Sequence, residues 1–315
     1  MEFKHIPVML NECIEGLNLK DDGVYVDATI GGAGHSIEIL KRTKNAKLIG
    51  IDQDAEAIDA ARKRTSEFKD RVTLVHDNFK NLASILKKLN IKQVDGILID
   101  LGVSSHQLDD ASRGFSFRSD APLDMRMNQE NPLSAFEVVN TYSESELKRI
   151  IYDYGEERFA ASIARHIVKN RQNGPIETTF QLKETIMSAV PRYKGNNGLD
   201  NVQRTFQAIR IEVNGELAIL KDALLDAVKV LKKGGRIVVL SFHSLEDRIV
   251  KTVFKEKSEN CTCPPDWPVC MCGGNNATLK LINKKPIEAS KIEREMNSRS
   301  SCAKLRIAEK IKQND

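Results

Sequence analysis

The sequence predicts a parallel, doubly wound α/β sheet interrupted by a helical insertion. Two observations predict it. Between Gly23 and Asp100, short apolar and β-branched runs alternate strictly with helical stretches, as strands do when helical crossovers cover both faces of a sheet. From about Leu108 to about Glu216 strand signals vanish, and the alternation then resumes.

The elements follow in order. Val8 to Leu17 has the spacing of an amphipathic lead-in helix. Val24-Tyr25-Val26 reads as the first strand, Lys47-Leu48-Ile49-Gly50-Ile51 as the second, Val72-Thr73-Leu74-Val75 as the third and Ile97-Leu98-Ile99 as the fourth. Between the second and third, Ala57, Ile58 and Ala61 keep helical spacing over Ala55 to Phe68, with Asp54 placed to cap the start. In the insertion, Ser143-Glu144-Ser145-Glu146 opens one helix. Glu156 to Lys169 forms another, and Gln181 to Val190 a third that stops at Pro191. Leu217 to Leu231 is helical and closes on Lys232-Lys233-Gly234-Gly235 ahead of a fifth strand, Arg236 to Ser241. The expected division is residues 1–107, an inserted helical substrate-recognition domain at 108–215, and 216–315 completing the sheet domain.

Composition sets outer bounds. In 315 residues, 41% are apolar and 29% charged, which is enough apolar material for a sizeable core and excludes disorder as a whole-chain description. Lys plus Arg number 48 and Asp plus Glu 44, a net +4 that by itself identifies no nucleic-acid binder; any basic surface must be local. No apolar run approaches the roughly 20 residues of a membrane helix, and the opening residues lack the apolar core of an export signal. Six cysteines in a chain of this length do not make a disulfide framework, so reduced thiols and a cytoplasmic location are expected.

The first strand runs into Asp27-Ala28-Thr29-Ile30-Gly31-Gly32-Ala33-Gly34-His35-Ser36. A glycine-rich turn there lies at the carboxyl edge of the sheet, where such folds bind ligands. Asp52 ends the second strand and can accept hydrogen bonds from ribose hydroxyls. A dinucleotide fingerprint beginning at Gly32 would need a glycine where Ile37 stands. S-adenosylmethionine has no phosphate. It needs a loop, a ribose acid and an apolar slot for adenine, for which Asp77-Asn78-Phe79 stands just past the third strand. The pattern therefore favours S-adenosylmethionine over NAD. A tight turn with no ligand is the plainer alternative.

At the fourth strand the text becomes specific. Asp100-Leu101-Gly102-Val103-Ser104-Ser105-His106-Gln107-Leu108-Asp109 precedes Arg113-Gly114-Phe115-Ser116-Phe117-Arg118 and Pro122-Leu123-Asp124-Met125-Arg126-Met127. With His5-Ile6-Pro7-Val8-Met9, the Gly31 loop, Arg204-Thr205-Phe206-Gln207-Ala208-Ile209-Arg210 and Ser241-Phe242-His243-Ser244-Leu245-Glu246-Asp247, the chain resembles, over almost its whole length, the bacterial 16S ribosomal RNA cytosine-N4 methyltransferase family. The resemblance implies a class I S-adenosylmethionine-dependent methyltransferase (Rossmann-like) sheet with an inserted helical domain. It implies S-adenosylmethionine as donor, and as substrate a decoding-centre cytosine, position 1402, of the 16S rRNA in the small ribosomal subunit. A homodimer is compatible with it. The family's cofactor contacts carry over to Ala33, Gly34, His35, Asp52, Phe79, Asp100 and Gln107, with Asp100 also the catalytic candidate. Two positions depart from the family pattern: Asp200-Asn201-Val202-Gln203 stands where His-Pro-Ala-Thr is usual, and Asn128 where aspartate is common.

An exocyclic cytosine amine is a weak nucleophile because its lone pair is delocalised into the ring. The enzyme must align it and accept a hydrogen bond from its N–H. Related amino-methyltransferases follow the residue at the end of strand four with two prolines and an aromatic; here Leu101-Gly102-Val103 follows Asp100. Phe115 and Phe117 are then candidates for packing the base, with ordinary core packing the alternative for both, and Arg113 and Arg118 for phosphate contact. Asp100 can hold the donor's amino group, the base, or both. His243 reads as structural or catalytic, in a turn that is either a wall of the substrate cleft or a capped helix start, with Ser244 the cap and Asp247 at the third helical position as in a capping box. Arg158, Arg165, Lys169, Arg171, Arg192 and Lys194 either track RNA phosphates or line a solvated helix face. Cys261, Cys263, Cys270 and Cys272 form two Cys-x-Cys pairs that could hold zinc; their spacing is tighter than usual, and no metal is expected. Cys13 and Cys302 read as small core residues. The competing functions are an amino-methyltransferase of another nucleic acid, a nicotinamide oxidoreductase, and a non-catalytic ribosome-assembly factor.

Overall fold

The computed structural model describes residues 7–191, 198–261, 263–264, 269 and 271–313. They fall into two compact units: Met1–Gly102 with Leu217–Asp315, and Val103–Glu216.

The first unit opens with α1 (Leu10–Leu17), β1 (Val24–Asp27), α2 (Gly34–Arg42), β2 (Lys47–Asp52), α3 (Ala55–Arg64), β3 (Val72–His76), α4 (Leu82–Lys88) and β4 (Val94–Asp100). Asp54 caps α3 by accepting from the Glu56 amide. The helix stops at Arg64, short of Phe68, because Thr65 leaves helical geometry and the chain tightens into a 3-10 turn over Ser66–Arg71.

The helical unit holds α5 (Ser105–Asp109), α6 (Ala135–Thr141), α7 (Glu144–Gly155), α8 (Ala160–Asn170), α9 (Thr179–Ala189) and α10 (Leu199–Asn214). Four of these, α5, α6, α7 and α9, begin with reciprocal capping boxes, on Ser104, Ser134, Ser143 and Thr178. Their apolar stripes meet in one core containing Ile150, Ile163, Leu182, Ile186, Val202 and Ile209. Gln107 belongs to this unit: its side-chain oxygen accepts from the Ser104 amide at 2.9 Å.

The chain returns through α11 (Glu216–Val230) into β5 (Leu231–Ser241), then α12 (Ser244–Ser258), β6 (Leu279–Leu281), β7 (Ile287–Glu288), α13 (Lys291–Met296) and β8 (Lys304–Lys310). The β5 strand begins five residues earlier than the expected Arg236. Lys232–Gly235 are absorbed in a register shift against β4, between the pairs Val94–Leu231 and Gly96–Arg236. Strand order is β3-β2-β1-β4-β5-β8-β6, with β7 also on β8. The pairs from β3 to β5 are parallel and β8 runs antiparallel to β5. This is the doubly wound sheet that the alternation predicts. The β6–β8 edge is additional. Arg306 and Lys310 are buried in β8, each with a partner: Arg306 on Asp247 at 2.6 and 3.0 Å, and Lys310 Nζ on the Val228 carbonyl at 2.5 Å. No described helix is long and apolar enough to cross a membrane.

Candidate active site

Parallel order brings the ends of β1, β2 and β4 to one edge of the first unit, and each ends in an aspartate: Asp27, Asp52 and Asp100. The turn after β1 is held from both sides. Asp52 accepts from the Gly31 amide at 2.8 Å through one oxygen and from the Asp54 amide at 3.0 Å through the other. On the β4 side, the Asp100 amide donates to Thr29 Oγ1 at 2.7 Å. Gly31 and Ala33 both take the left-handed conformation, at φ 48° and 58°. Glycine adopts it freely; for alanine it is strained by about 1–2 kcal/mol, so the surrounding bonds must hold it. Ala33 is the N-cap of α2, which starts at Gly34. A Cβ on Gly34 would collide with the Pro7 ring.

Next on α2, His35 is buried. Its Nε2 lies 3.0 Å from the Val8 carbonyl and its Nδ1 3.8 Å from Asp100 Oδ2. Ser36 donates its hydroxyl to Asp27 at 2.6 Å. Beyond β3, Phe79 is half-buried in a 3-10 turn capped by Asn78. The turn is tied to the end of β2 by the Asp77 amide on the Asp52 carbonyl at 3.0 Å and by the Asn78 amide group on Gln53 at 2.7 Å. Six of the seven residues expected at the cofactor thus lie in the first unit: Asp52 and Asp100 at the ends of β2 and β4, Ala33, Gly34 and His35 at the start of α2, and Phe79 in the turn after β3.

The edge is acidic, with Asp27 buried and Asp52 and Asp100 half-buried. Burial pushes the Asp52 carboxyl up to about 6, against two backbone hydrogen bonds that lower it. Asp27 is likewise raised by burial to about 6, against the Ser36 hydrogen bond. Asp100 is pushed furthest, to about 8, first by burial and then by the negative charges of Asp27 and Glu246. Its Oδ1 is buried with no hydrogen-bond partner among the described residues. Such an edge suits a cation and repels a pyrophosphate.

Some expectations are corrected. The N-cap of α12 is His243, not Ser244: it shares a capping box with Glu246, whose carboxylate also takes the Phe242 amide at 2.8 Å. Asp247 is used instead to pair Arg306. Phe115 is buried in the helical unit's core. Arg113 is buried too, its guanidinium donating to the Arg126 and Met127 carbonyls, so neither is available to a base or phosphate. Phe117 is half-buried, edge-on to Phe206 at 5.5 Å, and Arg118 is exposed. Arg171 is committed to the Val139 and Tyr142 carbonyls at 2.7 Å each, whereas Arg158, Arg165 and Lys169 are exposed. Arg192, Lys194 and Cys270 lie outside the described residues. Cys13 is buried as expected, but Cys302 is exposed. Thr29, Ser36 and Glu246 had no sequence assignment here. An acid at the end of β1 was the one available signal, at Asp27.

The model of the MraW methylase family matches residues 2–311. A ribosomal RNA small subunit methyltransferase H from Clostridium botulinum (strain Kyoto / Type A2) is 58% identical over 99% of this chain and 100% of its own. A protein of the same name from Finegoldia magna is 52% identical with the same coverage. Among solved structures, an rRNA methylase from Streptococcus thermophilus aligns with a TM-score of 0.41 at 10% identity, covering 96% of this chain and 94% of that one, too remote to carry an argument. A match that runs from the first strand through the helical unit to the last strand leaves one conclusion: the chain belongs to the MraW methylase family.

Proposed function

We propose that this chain methylates the exocyclic N4 of cytosine 1402 in 16S rRNA, within the small ribosomal subunit, using S-adenosylmethionine. The observation that carries the reading is Asp100: a half-buried acid at the end of β4, in an acidic edge, with one buried oxygen unpartnered among the described residues. Membership of a methylase family calls for a methyl donor, and the names of relatives more than half identical point to small-subunit rRNA.

The edge fits a donor that is cationic at both its sulfonium and its amino group. The donor supplies an electrophilic methyl group; the chain supplies position and charge. Asp52 takes the ribose hydroxyls on the lone pairs its two backbone donors leave. The Ala33, Gly34 and His35 turn receives the amino-acid end, and Phe79 offers an apolar face to adenine. Gln107 is kept as a cofactor contact on the strength of the family resemblance alone, and residues 108–215 are proposed to be the substrate-recognition domain. Asp100 holds the donor's ammonium with one oxygen and accepts the cytosine N–H with the other. That second bond keeps the amine's lone pair directed at the methyl group as the N–C bond forms and the donor's S–C bond breaks to a neutral thioether. The proton the amine sheds passes through the carboxylate to solvent. The enzyme works in the cytoplasm, where its substrate is.

Labelled methyl transfer to small subunits from a strain lacking the enzyme, followed by nucleoside mapping, tests this. The expected product is N4-methylcytidine at one site, abolished by Asp100→Ala. Label on another nucleoside, or donor binding with no transfer to subunits, overturns the reading in favour of a different substrate or an assembly factor.

A further inference from the structure

Residues 259–278 connect α12 to β6. The two ends of this connection are clasped by backbone hydrogen bonds, Thr278 N–H to the Lys257 carbonyl at 2.8 Å and Asn276 N–H to the Asn260 carbonyl at 3.0 Å. Beyond that clasp stand Cys261, Cys263 and Cys272, whose sulfurs all lie within 4.8 Å of one another. These residues take no part in the site described above. Sequence spacing alone left them without a metal.

We propose that Cys261, Cys263 and Cys272 form a structural zinc site. A Zn–S bond of about 2.3 Å implies an edge of about 3.8 Å between sulfurs on a tetrahedral ion. The Cys261 and Cys272 sulfurs are 3.8 Å apart. A disulfide would bring them to about 2.0 Å and would leave the third thiol idle. The Met271 amide donates to the Cys263 sulfur at 3.3 Å, a bond that strengthens as the sulfur becomes a thiolate. Three convergent soft donors select zinc over the hard divalent ions, which prefer oxygen. All three thiols are exposed or half-exposed, so the ion has access. On binding, each thiol gives its proton to solvent and a Zn–S bond replaces the S–H bond, with no change of oxidation state. The ion links the three cysteines beyond the backbone clasp, where loop closure otherwise costs entropy.

The test uses the full chain with any affinity tag removed, reduced, incubated with excess zinc sulfate and exchanged into metal-free buffer. About one zinc per chain is expected by mass spectrometry of the metal. C261S/C272S should retain less than about a tenth of that, and C302S, which removes an exposed thiol outside the cluster, should retain all of it. Cobalt added to the metal-free wild-type chain should give a thiolate-to-cobalt charge-transfer band, a readout that stands even if the double variant fails to fold. A wild-type chain without zinc or that band, equal zinc loss in C302S, or a Cys261–Cys272 disulfide in protein isolated with its thiols blocked would overturn the proposal.

Discussion

Asp52, the last residue of β2, accepts a hydrogen bond from the Gly31 amide at 2.8 Å, so the end of one strand shapes the turn that follows another. The same carboxylate is the proposed ribose acceptor. Shape and recognition therefore depend on one group.

Replacing it separates these contributions. Asp52→Ala removes an ionic acceptor and should weaken S-adenosylmethionine binding about 10–100-fold, the worth of a charged hydrogen bond of about 1.5–3 kcal/mol. Calorimetric titration checks this. Asp52→Asn keeps an acceptor for the Gly31 amide and should lose less affinity than Asp52→Ala. Equal losses would assign the effect to charge alone.

Asp100 makes stability fall as pH rises. Its carboxyl keeps its proton in the folded chain up to about 8, whereas the unfolded chain loses it near the ordinary 3.8. Between those values the folded state binds more protons, and each step up in pH costs stability. Asp27 and Asp52, raised to about 6, complete their own losses lower down. Among these three, the window from about 7 to 9 belongs to Asp100. Asp100→Asn should raise the melting temperature at pH 9 by at least about 2 °C, and by much less at pH 5. A pH-independent gain would point to packing instead.

Donor affinity should move the opposite way. The proposed ammonium contact needs the ionised carboxylate, so binding by the wild-type chain should tighten as pH rises from about 6 to about 7.5, below the range in which the donor's own α-ammonium deprotonates. Asp100→Asn should flatten that dependence in the same titration.

Gly114 sits at φ 69°, and a Cβ there would meet the Pro122 carbonyl oxygen and lie 2.8 Å from the Asp124 amide nitrogen. Both obstacles are backbone, so neither yields by a rotamer change. Gly114→Ala should destabilise the chain by about 2–4 kcal/mol in denaturant unfolding.

The basic residues of the helical unit divide into two kinds. Arg165→Ala with Lys169→Ala removes exposed charges and should reduce the salt slope of small-subunit binding by about 1–2, with little change in stability. Arg171→Ala strands two carbonyls and should cost about 1–3 kcal/mol of stability with little change in the slope. Filter binding across a salt series and thermal unfolding report the two outcomes.

The strands from Val24 to Asp100, the capped helices on Asp54 and Ser143, and the glycine turn opposite a β2 acid were legible because each rests on local pattern: alternation, cap residues and glycine spacing. The last strand was not. Lys304–Lys310 places Arg306 and Lys310 in the interior, and only their distant partners, Asp247 and the Val228 carbonyl, make that burial tolerable. Phe115 and Arg113 misled for the same reason. An aromatic flanked by arginines looks like a base platform until the fold turns it inward, with carbonyls waiting for the guanidinium.

By itself, the sequence determined the order of strands and helices, the place of the glycine turn and the residue types at the strand ends, since these follow from periodicity and from covalent neighbours. Only the tertiary structure decided that Asp27 and Glu246 would bear on Asp100, that His35 would lie between Val8 and Asp100, and that three thiols separated along the chain would converge. Electrostatic repulsion, desolvation and metal coordination depend on distances through space, and chain order does not encode those until the sheet is assembled.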